Sequence, residues 1–136
     1  MNSTQIKQTV APYFMVLKAA QFVDFTKHVF NSEVILENKA DDSDGVIHGE
    51  MKIGNSTVYY ADTGPDGTWD PALSAQVRED GPVPIHIMVH VEDVKATHKK
   101  AIDAGATSIT DVTEETGNMG GFIDPFTNLW WVQSSK

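Results

Sequence analysis

The sequence predicts an α+β fold in which two βαβββ modules form a curved mixed sheet around a cleft, and three observations predict it. Strand-like and helix-like periodicities follow one another in the same order in both halves of a 136-residue chain. The two starts superpose at a constant offset, Ala11 on His86, Val16 on Val91 and Asp24 on Lys99, so the repetition lies in spacing rather than in matching letters. Finally, in the run Pro84 to Val91, Ile85, Ile87, Val89 and Val91 alternate with His86, Met88 and His90. In a strand this puts an apolar row on one face and a polar, titratable row on the other, as the wall of a binding cavity requires. A strand-helix-three-strand unit has one dry and one wet face, and pairing two of them encloses a cleft.

The elements follow in order. Val10 to Leu17 is rich in strand formers, and from Lys18 the spacing becomes helical through Phe30, with Phe22, Phe25, Val29 and Phe30 on the buried side. Asn31 is a helix stop, because Asn tolerates the left-handed conformation. Glu33 to Asn38 reads as a short strand and Asp41 to Gly45 as a solvated acidic turn. Val46 to Ile53 alternates, with His48 and Glu50 on one side and Ile47, Met51 and Ile53 on or near the other. Gly54-Asn55 makes a tight hairpin turn into the strand Thr57 to Ala61. Residues from Asp62 to Pro82, punctuated by Gly-Pro, Asp-Gly and Asp-Pro pairs, read as a linker with a helical turn near Ala72 to Val77. The order then begins again with a strand at Val83 to Val91, a helix from Asp93 to Ala104 stopped by Gly105, and strands at Thr107 to Val112, Met119 to Ile123 and Leu129 to Gln133. Glu92-Asp93 suits the start of the second helix, where a carboxylate caps free N–H groups and negative charge is favoured.

The length suits one domain, residues 1–136, with modules 9–62 and 83–134 joined by linker 63–82. Ten basic against nineteen acidic residues give a formal charge of -9, which repels nucleic acid and anionic lipid surfaces. With no cysteine, disulfides, thiolate metal ligation and thiol catalysis are excluded. No apolar run approaches membrane-spanning length, and the N-terminus lacks the pattern of a leader, so a cytoplasmic protein is expected.

This order of elements is accompanied by Pro12-Tyr13, Phe22-Val23-Asp24-Phe25, Phe30-Asn31-Ser32, Ile47 to Gly54, Val91 to Val94, Ala101 to Ala106 and Gly121 to Phe126. Together they resemble the vicinal oxygen chelate superfamily, which includes glyoxalase I, bleomycin-resistance proteins and extradiol dioxygenases. The His48-Gly49-Glu50 hairpin and the Asp124-Pro125-Phe126 ending are most similar to its PhnB-like branch. The resemblance runs from about Val10 to Gln133 and implies the glyoxalase/bleomycin-resistance fold and a homodimer. It also implies a divalent-metal site with ligands on the first and last strands of each module. Those positions fall here on Ala11, His86, Val58 or Tyr60, and Trp131. One imidazole cannot replace a cation's hydration shell, so no glyoxalase metal quartet and no other cofactor are expected.

The expected function is that of a PhnB-like protein with a small-molecule pocket. As an enzyme it would use His86, with His48 and Glu50, as general acid or base; otherwise these side chains serve the cavity wall or an interface. Tyr13, Met15, Tyr60, Met88, His90, Leu129 and Trp131 are the expected ligand-binding wall, suited to a planar or hydrophobic organic molecule, unless they fill the cleft. Gly49 allows a bulky ring to approach closely. Two alternatives stand beside this reading: a bleomycin-resistance-like protein that sequesters a cationic drug, and a metal-dependent lyase or dioxygenase with nonstandard ligands such as His86 and His90. Asp124-Pro125 is expected to be a turn, the glycine-rich Glu114 to Gly121 segment to gate the cleft mouth, and Trp69 to cover the pocket or meet a partner subunit.

Overall fold

A computed structural model of the chain describes residues 8–41, 43, 45–63 and 85–136. The expected helical turn at Ala72 to Val77, Trp69, nearly all of the linker, and Val83 and Pro84 lie outside the described residues.

The elements run β1 (Tyr13–Val16), α1 (Ala19–Phe30), β2 (Glu33–Lys39), β3 (Val46–Ile53), β4 (Ser56–Asp62), β5 (Ile87–Val91), α2 (Val94–Asp103), β6 (Thr107–Thr110), β7 (Gly120–Ile123) and β8 (Leu129–Ser134). Two βαβββ modules are therefore present. Their strands form two four-stranded sheets of the same order, β1-β4-β3-β2 and β5-β8-β7-β6. In each the first strand runs parallel to the fourth and the other pairings are antiparallel.

The chain divides into two compact units. The first holds β1 to β4 and α1 as far as Val23; the second holds α1 from Asp24 to Phe30 together with α2 and β5 to β8. In the first, Phe22 lies with its ring 5.0 Å from that of Phe14 and 6.4 Å from that of Tyr60. Met51 and Val58 are also buried. In the second, Phe25 and Phe30 pack against Phe122, and Phe30 against Trp130. Val94, His98 and Ala101 are the buried stripe of α2. Burying one such aromatic or aliphatic side chain contributes about 1.5–3 kcal/mol, so the faces turned toward the helices hold each unit together.

Local chemistry fixes the ends of the elements. Asn31 has φ 55° and Gly105 φ 104°, so each helix is followed by a residue in the left-handed region, as the sequence predicts. The Asp93 carboxylate accepts from the N–H of Ala96 at 3.0 Å and caps α2. Asp62, at the end of β4, accepts from Ala19 and Val46 N–H, both at 2.8 Å, and so ties the starts of α1 and β3 to its own strand. Gly54 takes φ 60° in the two-residue β3–β4 turn, which is the place a type II′ turn reserves for glycine.

Asp124-Pro125 is the expected turn, and its buried carboxylate receives four hydrogen bonds. These come from the N–H groups of Phe126 and Asn128, the Asn128 amide and the Trp130 indole, at 2.8 to 3.0 Å. They hold Thr127 at φ 73°, unfavourable for a β-branched residue. Residues 113–118 form a compact turn, in which Asn118 donates to the Thr113 carbonyl at 2.8 Å and the Thr116 hydroxyl sits among the carbonyls of Asp111, Thr113 and Met119.

Gly49 stands opposite Tyr60 in the β3–β4 register, and a Cβ placed there would come within 2.2 Å of the Tyr60 ring. The ring lies flat over the glycine and its hydroxyl donates to Glu37 on β2 at 2.5 Å. Gly49→Ala is therefore expected to destabilise the protein by about 1–3 kcal/mol, the usual cost of overpacking. The loss should be smaller in a Tyr60→Val background, where the ring is gone; urea midpoints of the four proteins measure both.

Burial, with the Glu37 hydrogen bond and charge adding to it, pushes the Tyr60 phenol up from its ordinary value. The folded state keeps this proton where the unfolded chain, with a phenol pKa of about 10, has lost it. The contribution to stability is therefore complete below about pH 10 and lost as pH rises beyond it. Unfolding free energy measured from about pH 9 upward should fall, and should fall less steeply in Tyr60→Phe.

Candidate functional site

The face of the first sheet turned away from α1 carries a connected set of polar rings. The parallel pairing sets Tyr13 beside Tyr59, and the β3–β4 hairpin sets Tyr59 opposite Glu50. His48 lies two residues from Glu50 on the same face of β3. The Tyr13 hydroxyl meets His48 Nδ1 at 2.8 Å, and His48 Nε2 meets Glu50 Oε2 at 3.1 Å. The ring centroids of Tyr13, His48 and Tyr59 are 5.3 to 5.6 Å apart in edge-on and tilted arrangements. Tyr13 and His48 sit on strands separated by β4, about 10 Å apart. Two long side chains leaning across Tyr59 close that distance.

The proton order in this chain follows from the donor inventory. A carboxylate only accepts, so His48 Nε2 carries the proton given to Glu50; Nδ1 is then the acceptor, and the Tyr13 O–H is its donor. Burial and the negative charge of Glu50 push the Tyr13 phenol up from its ordinary value. Tyr13 is 49% exposed, whereas the His48 and Glu50 side chains are 29% and 18% exposed. The relay thus ends at the surface on a neutral hydroxyl.

In the second unit the expected polar row of β5 is present: Met88 and His90 are exposed, while Ile87, Val89 and Val91 are half-buried on the other face. His86, just before the strand, accepts at Nδ1 from the Trp131 indole at 2.9 Å, with the two rings stacked at 6.2 Å. An indole N–H only donates, so the His86 proton is on Nε2. Met88 stands opposite Trp131 in the parallel register and His90 opposite Gln133. Leu129 shares the Trp131 face two residues earlier. Gly121 makes room for the Trp131 ring, since a Cβ there would come within 2.8 Å of it.

Two expectations need correction. Tyr60 does not join the ligand-facing group, because its ring covers Gly49 and packs under Phe22, and it is fully buried. Tyr59, which the sequence reading passed over, takes the outward place beside Tyr13. Counting back from the two-residue Gly54-Asn55 turn pairs Glu50 with Tyr59 and Gly49 with Tyr60, so the signal was present in the hairpin. Ile85, expected in the apolar row, precedes β5 and is 75% exposed. Met15 is half-buried and shares the Tyr13 face.

The residues present do not fit the divalent-metal centre that the resemblance implies. Ala11 has no donor atom, the outward fourth-strand residue of the first unit is the phenol Tyr59, and Trp131 offers an N–H and no lone pair. Among the described residues no three of His, Asp and Glu come together in a way that could hold a metal ion. No helix among them is long and apolar enough to cross a membrane. An open depression of about 560 Å³ lies at the start of α2, lined by Glu92, Asp93, Asn118, Gln133 and Lys136 among others. None of the expected site residues borders it.

The fold is shared with known proteins. An X-ray structure of an Arabidopsis thaliana gene product superposes with a TM-score of 0.70 at 22% identity, covering 95% of this chain and 100% of that one. A PhnB protein of Bacillus cereus superposes with a TM-score of 0.71 at 13% identity, covering 94% and 100%. At these identities the likeness shows the fold alone. In sequence, a Mycobacterium bovis protein described as uncharacterized is 28% identical over 128 residues, which is 92% of this chain and 82% of that protein. A family model for the glyoxalase-like domain matches residues 26–132, and with both βαβββ modules in place the chain belongs to the glyoxalase-like domain family.

Proposed function

We propose that the protein belongs to the PhnB-like branch and binds a small organic molecule, without a divalent metal, on the sheet faces that its helices leave uncovered. The observation that carries this reading is the division of labour between faces. Phenylalanine, Trp130 and buried aliphatic residues fill the helix sides, while Tyr13, Tyr59 and His48 in the first unit and Trp131 and His86 in the second are held on the outward sides by hydrogen bonds and ring contacts, with Met88 exposed beside Trp131. Flat aromatic surface with a few oriented polar atoms suits a planar ligand. Met15 extends the face of the first unit, where His48 and Glu50 are the acid-base groups, and His90 and Leu129 extend that of the second, where it is His86. The acidic composition and the tyrosine and tryptophan lining also favour a second reading, sequestration of a planar cation of the kind bleomycin-resistance proteins hold. In either reading the protein acts in the cytoplasm as a homodimer.

Thermal unfolding in the presence of planar aromatic compounds, one set cationic and one anionic, tests the proposal. A ligand at 100 times its Kd should raise the Tm by about 5–10 °C, and the rise should be abolished by Tyr13→Ala for a ligand on the face of the first sheet and by Trp131→Ala for one on the face of the second. A preference for the cationic set supports sequestration. No shift with any compound at millimolar concentration, or stoichiometric zinc or nickel in protein purified without chelator, would overturn the proposal.

A further inference from the structure

We propose that Tyr13 is a nucleophile, driven by His48 and Glu50, that accepts the acyl group of a small ester. This deepens the proposed function by giving one of its sites a reaction. The geometry is that of an activated nucleophile: hydroxyl, imidazole and carboxylate form one chain with contacts of 2.8 and 3.1 Å, and the acceptor nitrogen of His48 faces the hydroxyl. Tyr13 is the most exposed residue of the three and Glu50 the least. An incoming electrophile therefore reaches the tyrosine side of the chain first, while the groups that take its proton are more sheltered. Because the phenol is held up by burial and by Glu50, it does not ionise in advance. Its proton leaves to His48 as the oxygen attacks.

The step balances with water as the sole co-reactant. The Tyr13 oxygen bonds to the carbonyl carbon, the bond from that carbon to the leaving alcohol breaks, and the phenolic proton passes through His48 Nδ1 to the alcohol. Water, deprotonated by His48, then cleaves the acyl-tyrosine; the acid leaves and the hydroxyl is restored. Tyr13 and His48 are the catalytic residues. Glu50 is a positioning residue that fixes the His48 tautomer and stabilises the imidazolium.

Tyr59 provides a control within the same molecule, since it touches His48 through ring contact and shows no hydrogen bond to it among the contacts described. The experiment exposes the protein to p-nitrophenyl acetate, follows release of p-nitrophenolate, and maps acetyl-tyrosine by peptide mass spectrometry. Acetylation of Tyr13 should exceed that of Tyr59 on the order of tenfold or more. His48→Gln should bring Tyr13 down to the Tyr59 rate, and Glu50→Gln, which keeps the shape but removes the charge, should lower Tyr13 labelling while leaving Tyr59 unchanged. Loss of structure would move both tyrosines together, so Glu50→Gln still decides the matter if His48→Gln does not fold. Equal labelling of the two tyrosines in the wild type, or a Tyr13 rate indifferent to both substitutions, would overturn the proposal. Ligand binding on this face would be unaffected by that result, so the two proposals fail separately.

Discussion

The first sheet depends on one close approach, the Tyr60 ring lying over Gly49. The glycine has to face the helix side because that is where the ring is, and no side chain fits beneath it. Strand alternation then forces the two flanking residues, His48 and Glu50, onto the opposite face together. The same ring reaches Glu37 on β2 with its hydroxyl, so one tyrosine ties β2, β3 and β4 in a single register. A slip of one residue would bring His48 or Glu50 under Phe22 and turn Gly49 to solvent, which burial of a polar side chain opposes strongly. The outward histidine and glutamate are thus a consequence of how the core is packed.

The second unit solves the same problem with other residues. Gly120 lies against the His98 ring on the helix side and Gly121 beneath Trp131 on the outward side, so two adjacent glycines admit a ring on each face of β7. The buried His98 imidazole sits within hydrogen-bonding distance of the Gly121 carbonyl and the Ser108 hydroxyl, at 3.3 and 3.2 Å. Asp124 does for the β7–β8 turn what Asp62 does for the first unit: a carboxylate collects N–H groups that would otherwise be unpaired and fixes where a strand begins. Similar element order with different side chains at the outward positions, Tyr13 and Tyr59 in one unit and Met88 and Trp131 in the other, gives two faces of different chemistry. One ends in a hydroxyl relay and the other in an indole-imidazole pair.

Much of the fold was legible because its signals are local. Asn31, Gly105, Asp93 and Gly54-Asn55 each act through their own dihedral angles or through N–H groups within three residues, and each does what its residue type suggests. The candidate site was legible in part. The pairing of His48 with Glu50 on one face followed from alternation, as did the exposed Met88 and His90. The choice between the consecutive residues Tyr59 and Tyr60 did not, because both suit a strand and either could fill a core. It is settled by which one meets a glycine across the hairpin: Tyr60 does, and its ring therefore lies on the helix side while Tyr59 faces outward.

The sequence by itself determined the element order, the helix stops and caps, and the two-fold repetition of the βαβββ unit, since periodicity and capping need no distant partner. The tertiary structure alone decided that Tyr13 reaches His48. These residues lie 35 positions apart, and no pattern within either strand announces the other. They meet because β4 takes the place between β1 and β3, so that two outward side chains on non-adjacent strands converge over Tyr59. Strand order is a global choice, set by which edges satisfy their N–H and C=O groups and which faces the helix covers, and it turns a tyrosine, a histidine and a glutamate into one hydrogen-bonded chain.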